Sequence, residues 1–509
     1  MLQPHHRILS QAIETATCFH QEGNLDQAET LYAAVLAAQP DHFDALHMLG
    51  VVRCQQGRNT EALDYLRAAL NINPSAAEAW SNIGFVYREL NQPENALASC
   101  EHAVSLKPAY ADALNNRGNA LADLCSFDRA LASYDKAIAL SPRYAEPLNN
   151  RGRAFMSLNR PEEALASYED AIALRPDYAE AHHGRSLCRL LQGDYARGWR
   201  EYEWRWKTEA MKSVGRGFTQ PLWLGDEDIS GRTILLHGEQ GIGDAIQFCR
   251  YVKLVLERSA AVILEVPSEL LSLMGSLGGP HRIIARGDRL PDFDYHCPLS
   301  SLPLVFKTTL DSIPAEFPYL RAPMDQIELW RRHLGPHTKP RIGLVWAGKP
   351  RSRNADANWM DRQRSIVFDQ LIPLLEETQC DFYSLQKGGD AAAQLRCSAL
   401  GGRVIDWTDE LWDFSDTAAL IENLDLVISV DTAVAHLAGA LGKPFWLLNR
   451  FNTCWRWMLD RDDSPWYPSA LVFRQPSHGD WASVITRVAS ELRLWCARYS
   501  VATRPRLAS

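Results

Sequence analysis

A 34-residue period runs through the first two hundred residues and constrains this chain more than any other feature. Pro40, Pro74, Pro108, Pro142 and Pro176 fall on it, as do Ala28, Ala62, Ala96, Ala130 and Ala164, and Gly50, Gly84, Gly118 and Gly152. A small residue fixed at one place in each unit suits two antiparallel helices in close approach, and a proline after the second helix stops it. One such unit cannot bury its own apolar face, so the units must stack. The first, near residues 9–42, keeps only the second half of the pattern. The sixth, from Ala179, loses the small residue and the proline and runs into Trp199, Tyr202, Trp204 and Trp206. That predicts an aromatic helix that seals the stack or docks it on the next domain.

The unit Ala77 to Tyr110 carries Trp80, Ile83, Gly84, Tyr87, Ala96, Ala103 and Pro108 and resembles the tetratricopeptide repeat. A second series, Asn82, Asn116 and Asn150, keeps the same period two residues before each repeat's glycine, with Met48 and Gly184 at the flanking positions. A primary amide donates and accepts at once, so such a column can hold an extended peptide backbone without reading its sequence. It resembles the asparagine ladder of the O-linked N-acetylglucosamine transferase superhelix, and the resemblance implies a peptide-binding groove. The alternative is that these amides brace neighbouring repeats.

Composition narrows the function classes. With 53 Lys+Arg against 62 Asp+Glu the chain is acidic, which argues against a mainly nucleic-acid-binding role. The 11 cysteines are scattered singly with no CxxC pair, indicating neither a disulfide framework nor a zinc knuckle. No basic-then-apolar leader and no long apolar run is visible, so a cytoplasmic protein without a membrane span is expected. Of 16 tryptophans only Trp80 precedes residue 199, which suggests two regions built on different rules.

The second region reads as alternating strands and helices. Strands are expected at Thr233–Leu236, Ala261–Val266, Arg341–Trp346, Asp381–Gln386, Val404–Ile405, Leu424–Val430 and Phe445–Leu448, and such alternation implies parallel sheets. The restart near Arg341, after a Gly-Pro-His-Thr-Lys-Pro stretch, divides it into two doubly wound halves with a cleft between them. The expected plan is an all-α superhelix over 1–206 with degenerate end units and a linker at 207–230. Rossmann-like halves at 231–338 and 339–495 and a tail at 496–509 complete it.

Two segments carry chemistry. After the first strand, His237-Gly-Glu-Gln-Gly-Ile-Gly-Asp244 lets Gly241 and Gly243 turn the backbone at a helix N-terminus, where free amides favour an anion or polar group. Ile246 stands where a dinucleotide fingerprint needs a third glycine, which argues against a nicotinamide or flavin enzyme. In Leu424-Asp-Leu-Val-Ile-Ser-Val-Asp-Thr-Ala-Val-Ala-His436, a buried strand delivers Asp431 and Thr432 to a helix start, with His436 one turn on. Either can cap that helix while its first amides face the cleft; a plain capping motif with a core histidine is the bland alternative.

Gly241-Ile-Gly-Asp244, Asp431-Thr-Ala-Val-Ala-His436 and Ala440-Leu-Gly-Lys-Pro444 together resemble the heptosyltransferase family of glycosyltransferases over about residues 230–490. The resemblance implies a two-Rossmann GT-B fold and a nucleotide-diphosphate sugar donor. It matches Asp244 to a general base, Arg364 to a cation near the leaving diphosphate, and Asp431, Thr432 and His436 to the donor-binding loop. Ala433 stands where the family has glycine, and Asn449-Arg450 where it has Gly-Pro-Thr. The overall arrangement is similar to the repeat-bearing O-linked N-acetylglucosamine transferases.

The implied chemistry is inverting transfer to an acceptor hydroxyl, with Asp244 taking the proton and Arg364, His436 and the helix amides stabilising the leaving group. No cofactor and no metal are expected, the donor being a substrate. Asp292-Phe-Asp294 matches a metal-binding triplet that arises readily by chance. Gln386 is placed near a base or ribose, and the basic run Lys349, Arg351 and Arg353 near a phosphate. Arg250 and Tyr251 are placed at the acceptor or in the core, and Trp455, Trp457, Trp466 and Tyr467 on a base or in packing. The acceptor is expected to be a protein or peptide held by the repeats. The rival reading is a non-catalytic repeat scaffold that retains the module only as a fold.

Overall fold

A computed structural model describes residues 3–212, 214–280, 282–349 and 355–502. The chain divides into two compact units: Met1–Ala181 with Ser352–Trp359, and His182–Arg351 with Met360–Ser509.

The first unit is built from helix pairs. They are α1 (Gln3–Gln21) with α2 (Leu25–Ala38), α3 (Phe43–Gln55) with α4 (Asn59–Ile72), α5 (Ala77–Glu89) with α6 (Pro93–Leu106), α7 (Ala111–Asp123) with α8 (Phe127–Leu140), and α9 (Ala145–Ser157) with α10 (Pro161–Leu174). The periodic residues sit where two helices cross. The five alanines from Ala28 to Ala164 are all fully buried. A Cβ on Gly118 would stand 2.4 Å from Tyr134 Cε1, and one on Gly84 2.3 Å from Cys100 Sγ. Each proline comes two residues after the last residue of a second helix. The first pair is helical throughout, although only half its sequence keeps the pattern.

A further periodic position lies between the two helices of each pair. Gly23, Gly57, Asn91, Cys125, Asn159 and Gly193 all take positive φ, from 54° to 82°. Glycine and asparagine tolerate that conformation, whereas for cysteine it is sterically costly.

The second unit begins inside a helix. α11 (Ala179–Leu191) crosses the boundary, and α12 (Tyr195–Tyr202) lies wholly in the second unit. Then come ten strands: β1 (Thr233–His237), β2 (Ala261–Val266), β3 (Arg282–Ala285), β4 (Tyr295–Pro298), β5 (Arg341–Val345), β6 (Asp381–Ser384), β7 (Val404–Ile405), β8 (Leu426–Val430), β9 (Phe445–Asn449) and β10 (Ala470–Arg474). They form two all-parallel sheets in the orders β3-β2-β1-β4 and β10-β9-β8-β5-β6-β7. These are two doubly wound halves, as the alternation predicts. The strand order reverses between β1 and β4 in one sheet and between β5 and β8 in the other. In open parallel sheets, ligands bind outside the carboxyl ends of the strands at such reversals.

α12 is part of this unit's core. Trp199 meets Trp455 edge to face with ring centroids 5.1 Å apart, and Trp466 Nε1 donates to Tyr195 Oη at 2.9 Å. The carboxylate of Glu201 ties α12 to α11 through Arg185 Nε at 2.9 Å and Arg189 Nη1 at 2.7 Å. His182 Nδ1 lies 2.9 Å from the same carboxylate. The aromatic helix therefore docks on the α/β unit. The segment at 207–230 is more than a linker, since Trp223 is buried and its backbone N–H donates to His296 O at 2.8 Å.

Two variants probe the period. Replacing Gly118 by valine should cost about 1–3 kcal/mol through overpacking on Tyr134. Cys125→Gly should raise stability by about 1 kcal/mol by relieving the left-handed backbone. Both are read by denaturant unfolding of the full chain.

Candidate active site

The two chemical segments lie at the two reversal points and meet there. The glycine loop follows β1, and Gly243 packs so closely on the helix Ala433–Ala440 that a Cβ would stand 2.8 Å from His436 Cδ2. Only glycine permits this contact. Asp244 ends that loop, and its Oδ2 accepts the Gly241 N–H at 2.9 Å in a capping arrangement at the start of the helix Ile242–Phe248. Its Oδ1 is bound by Arg456 Nη2. Arg456 also donates to Gln247 Oε1 and lies over the Trp455 ring at 4.2 Å. Both oxygens of the expected base are therefore engaged, one of them by a buried cation that the motif reading did not identify.

At the other reversal point, Arg364 bridges the loops after β5 and β8. Its guanidinium lies where a Gly348 Cβ would be 2.6 Å from Nε, and its Nη1 donates to Asp431 O at 2.8 Å. Asp361 accepts from its Nη2 at 2.5 Å. Thr432 stands at the N-cap of the helix Ala433–Ala440, but its side chain makes no capping bond and its Oγ1 lies 3.2 Å from Ser429 Oγ. The capping expectation is corrected to that extent. No hydrogen bond within the described residues uses the Ala433 and Val434 N–H groups, while those of Ala435 and His436 close on Thr432 O.

Burial sets the charges here. It pushes the His436 imidazole down to about 4, against the pull of Asp431. His436 is thus neutral at physiological pH, with Nδ1 2.8 Å from Tyr467 Oη and Nε2 3.8 Å from Asp431 Oδ1. A neutral imidazole can donate a hydrogen bond but brings no positive charge. Burial works to raise the Asp431 carboxyl, yet His436, which gains its proton in the same acid range, together with Arg364, Arg450 and Arg456 holds it below the ordinary range.

Other expected residues fall outside this constellation. Gln386 is buried, and its Oε1 accepts the Trp346 and Ala347 N–H groups at 3.1 and 2.8 Å, so it shapes the loop after β5 rather than presenting that oxygen to a base. Arg250 is buried and stitches elements together, donating to Trp466 O at 2.9 Å and Tyr319 Oη at 3.0 Å. Tyr251 pairs with Thr308 in the core. Trp455, Trp457, Trp466 and Tyr467 are all buried packing residues. Asp294 accepts the Thr233 N–H at 2.8 Å. Lys349 is exposed, and Arg351 and Arg353 lie outside the described residues.

The amides of the expected ladder are partly committed, and Asn150 Oδ1 also accepts from Asn149 Nδ2 at 3.4 Å. Asn82 Nδ2 lies 2.8 Å from His47 Nε2, Asn116 Nδ2 donates to Ser81 Oγ at 3.0 Å, and Asn150 Nδ2 donates to Asn115 Oδ1 at 3.0 Å. Each bond spans 35 residues, so the amides brace successive repeats. All three side chains remain half-exposed.

The glycine loop is clamped from behind by the end of the repeats. Just after α12, the guanidinium of Arg205 is buried; it donates to Glu239 Oε1 at 3.1 Å and to Ser301 Oγ at 2.7 Å and pairs with Glu203 at 2.5 Å. Gln240 Nε2 donates to Tyr202 Oη at 2.8 Å. Glu239 and Gln240 belong to the glycine loop, so α12 and its extension set the position of Asp244.

Comparison with known proteins finds matches in both regions of the chain. Four tetratricopeptide-repeat models match residues 21–78, 77–110, 111–144 and 152–193. The model for glycosyltransferase family 9 (heptosyltransferase) matches residues 412–448, which span β8, the Asp431 loop and most of β9. The chain joins tetratricopeptide repeats to a glycosyltransferase family 9 segment. Protein FlbA of Caulobacter vibrioides is 26% identical over 339 residues, covering 62% of this chain and 55% of that protein. The chain thus spans about half the length of that curated relative. Among solved structures, a thermophilic TPR protein of Thermus thermophilus, TTC0263, is 23% identical, covering 36% of this chain and 99% of its own at a TM-score of 0.33. YrrB, described as a TPR protein with an unusual peptide-binding site, is 26% identical, covering 35% and 91% at a TM-score of 0.29. No helix among the described residues is long and apolar enough to cross a membrane.

Two stability experiments test this arrangement. Arg205→Ala leaves Glu239 buried and unpaired and should cost about 3–5 kcal/mol, with the paired change Arg205→Met, Glu239→Gln recovering much of it, as read by denaturant unfolding. Lowering the pH from 6.5 toward about 4 should also destabilise the fold. In that window the unfolded chain protonates His436 and the native chain does not, which costs at most about 1.4 kcal/mol per pH unit. His436→Gln should flatten the slope of unfolding free energy against pH over the same range.

Proposed function

We propose that the protein is a glycosyltransferase that moves a sugar from a nucleotide-diphosphate donor to an acceptor hydroxyl on a protein or peptide bound by its repeats. In this reading residues 1–206 are the recognition array, 231–338 the acceptor side and 339–495 the donor side. The reaction is inverting, needs no metal or cofactor, and runs in the cytoplasm. The observation that carries it is the contact between Gly243 and His436, which joins the Asp244 loop to the donor-type Asp431–His436 loop at two strand-order reversals.

Asp244 takes the acceptor proton as the new glycosidic bond forms and the nucleotide diphosphate leaves with the bond's electron pair. Arg456 holds Asp244 Oδ1, so it must release that oxygen before the carboxylate can act as a base. The incoming diphosphate is the natural competitor for it. Arg364 and the Ala433 and Val434 amides stabilise the charge on the leaving group, and His436 contributes a neutral N–H. One amide N–H of each of Asn82, Asn116 and Asn150 is spent on bracing, so each offers a peptide its second N–H, and Asn82 and Asn116 also offer their carbonyl oxygens.

A second reading, a repeat scaffold with an inactive module, is favoured by the full engagement of Asp244. A screen of nucleotide sugars for donor hydrolysis separates the two, together with calorimetry on ADP, UDP and GDP. The enzyme reading expects hydrolysis of at least one donor and a fall of about 10²–10⁴ in turnover for Asp244→Asn, with nucleotide binding retained. Absence of both binding and hydrolysis would establish the scaffold. Replacing the three asparagines by alanine should weaken transfer to a peptide acceptor while sparing donor hydrolysis.

A further inference from the structure

Three successive repeats carry the same side-chain triad, with one member missing from the middle copy. In the repeat over residues 77–110, Lys107 Nζ donates to Glu78 Oε1 at 2.7 Å and lies 4.8 Å from the Tyr110 ring centroid. In the repeat over residues 145–178, Arg175 Nη1 donates to Glu146 Oε1 at 2.8 Å, and its guanidinium carbon lies 3.6 Å from the Tyr178 ring centroid. The repeat between them, residues 111–144, keeps the carboxylate as Asp112 and the ring as Tyr144 but has Ser141 at the position of the cation. A pocket of about 790 Å³ opens at this triad, bordered by Lys107, Tyr110, Asp112, Ser141, Arg143 and Tyr144. The Tyr144 hydroxyl is hydrogen-bonded to the Asp112 carboxylate, which keeps acceptor capacity for a further donor. Among the described residues neither Asp112 nor Arg143 enters an ion pair, so Arg143 does not take the missing cation's place.

Resting on the reading of the repeats as a peptide-holding array, we infer that this pocket takes a lysine or arginine side chain of the bound peptide. That side chain supplies the cation which the neighbouring repeats carry in their own sequence. Its head group pairs with Asp112 and lies against the Tyr144 ring, as Lys107 and Arg175 do with their own carboxylates and rings. An uncharged side chain of the same length forgoes both contacts, and an acidic one meets the like charge of Asp112. The asparagines hold a peptide backbone without reading its sequence, so this pocket adds a side-chain preference that they lack. The inference holds equally if the α/β unit is inactive.

The test is a screen of arrayed short synthetic peptides for retention of the full chain, followed by anisotropy titration of the best binders in lysine, norleucine and glutamate versions. Retained peptides should share a lysine or arginine, and its replacement by norleucine should weaken binding about three- to tenfold. Asp112→Asn should lose most of that preference. Ser141→Arg, which copies the neighbouring repeats, should fill the pocket and abolish the preference while affinity for the norleucine version stays within about twofold. Arg143→Ser removes a like charge from the rim and should strengthen the preference; a weaker one would overturn the inference. A norleucine version that binds the parent as tightly as lysine, or an unchanged preference in Ser141→Arg, would also overturn it and leave the peptide-holding reading standing. A parent chain that retains no peptide would overturn that reading, and this inference with it. Melting temperatures accompany each titration; if Ser141→Arg melts well below the parent, Ser141→Lys carries the comparison with the same expected and overturning results.

Discussion

The candidate site depends on one close approach, the glycine loop of the first sheet lying against the helix that follows β8 in the second at Gly243 and His436. A parallel sheet presents its ligand-binding loops only at its carboxyl edge, and only the reversal in strand order leaves a crevice there. With two such sheets in one unit, a shared site forms only if the two crevices face each other at contact distance. A missing Cβ at residue 243 is what allows it. The neutral, buried imidazole of His436 then serves as a fixed surface, held by Tyr467 on its far nitrogen.

Charge is distributed around that contact in a graded way. Asp244 and Arg456 form a closed pair beside the glycine loop. Arg364 is partly satisfied by Asp361 and the Asp431 carbonyl. Arg450 is nearly unsatisfied among the described residues. Asp431, half-buried among these cations, has its carboxyl held below the ordinary range and offsets their mutual repulsion.

Much of the fold is legible in the sequence because its rules are local. The helix pairs follow from Gly, Ala and Pro at a fixed period, and the parallel sheets from apolar runs that end in Gly or Asp. The positive-φ turn position is visible only in retrospect, since Cys125 and the two asparagines hide a series that glycines begin and end. β10 escapes notice because Ala470–Arg474 follows an irregular aromatic stretch rather than a helix. In the site, residues on the two motifs are found where motif and topology coincide. Arg456 and Arg450 are not, because they lie on an irregular segment after β9. They acquire meaning only through partners more than two hundred residues away or through the lack of any nearby acceptor. The buried role of Gln386 is equally non-local, since two backbone amides at the end of the adjacent strand occupy its oxygen.

The placement of α12 bears on how such a chain can be assembled and altered. The repeat-like helices continue to residue 202, yet the compact boundary falls between Ala181 and His182, inside α11. The last helical pair is thus repeat-like in pattern and belongs to the α/β unit by packing. Repeat arrays of other lengths or specificities can be exchanged for this one only upstream of that helix. A junction drawn at the apparent end of the repeats would remove Tyr202 and Arg205, and with them the backing of the glycine loop. The helix that ends the repeat pattern cannot be exchanged along with the repeats.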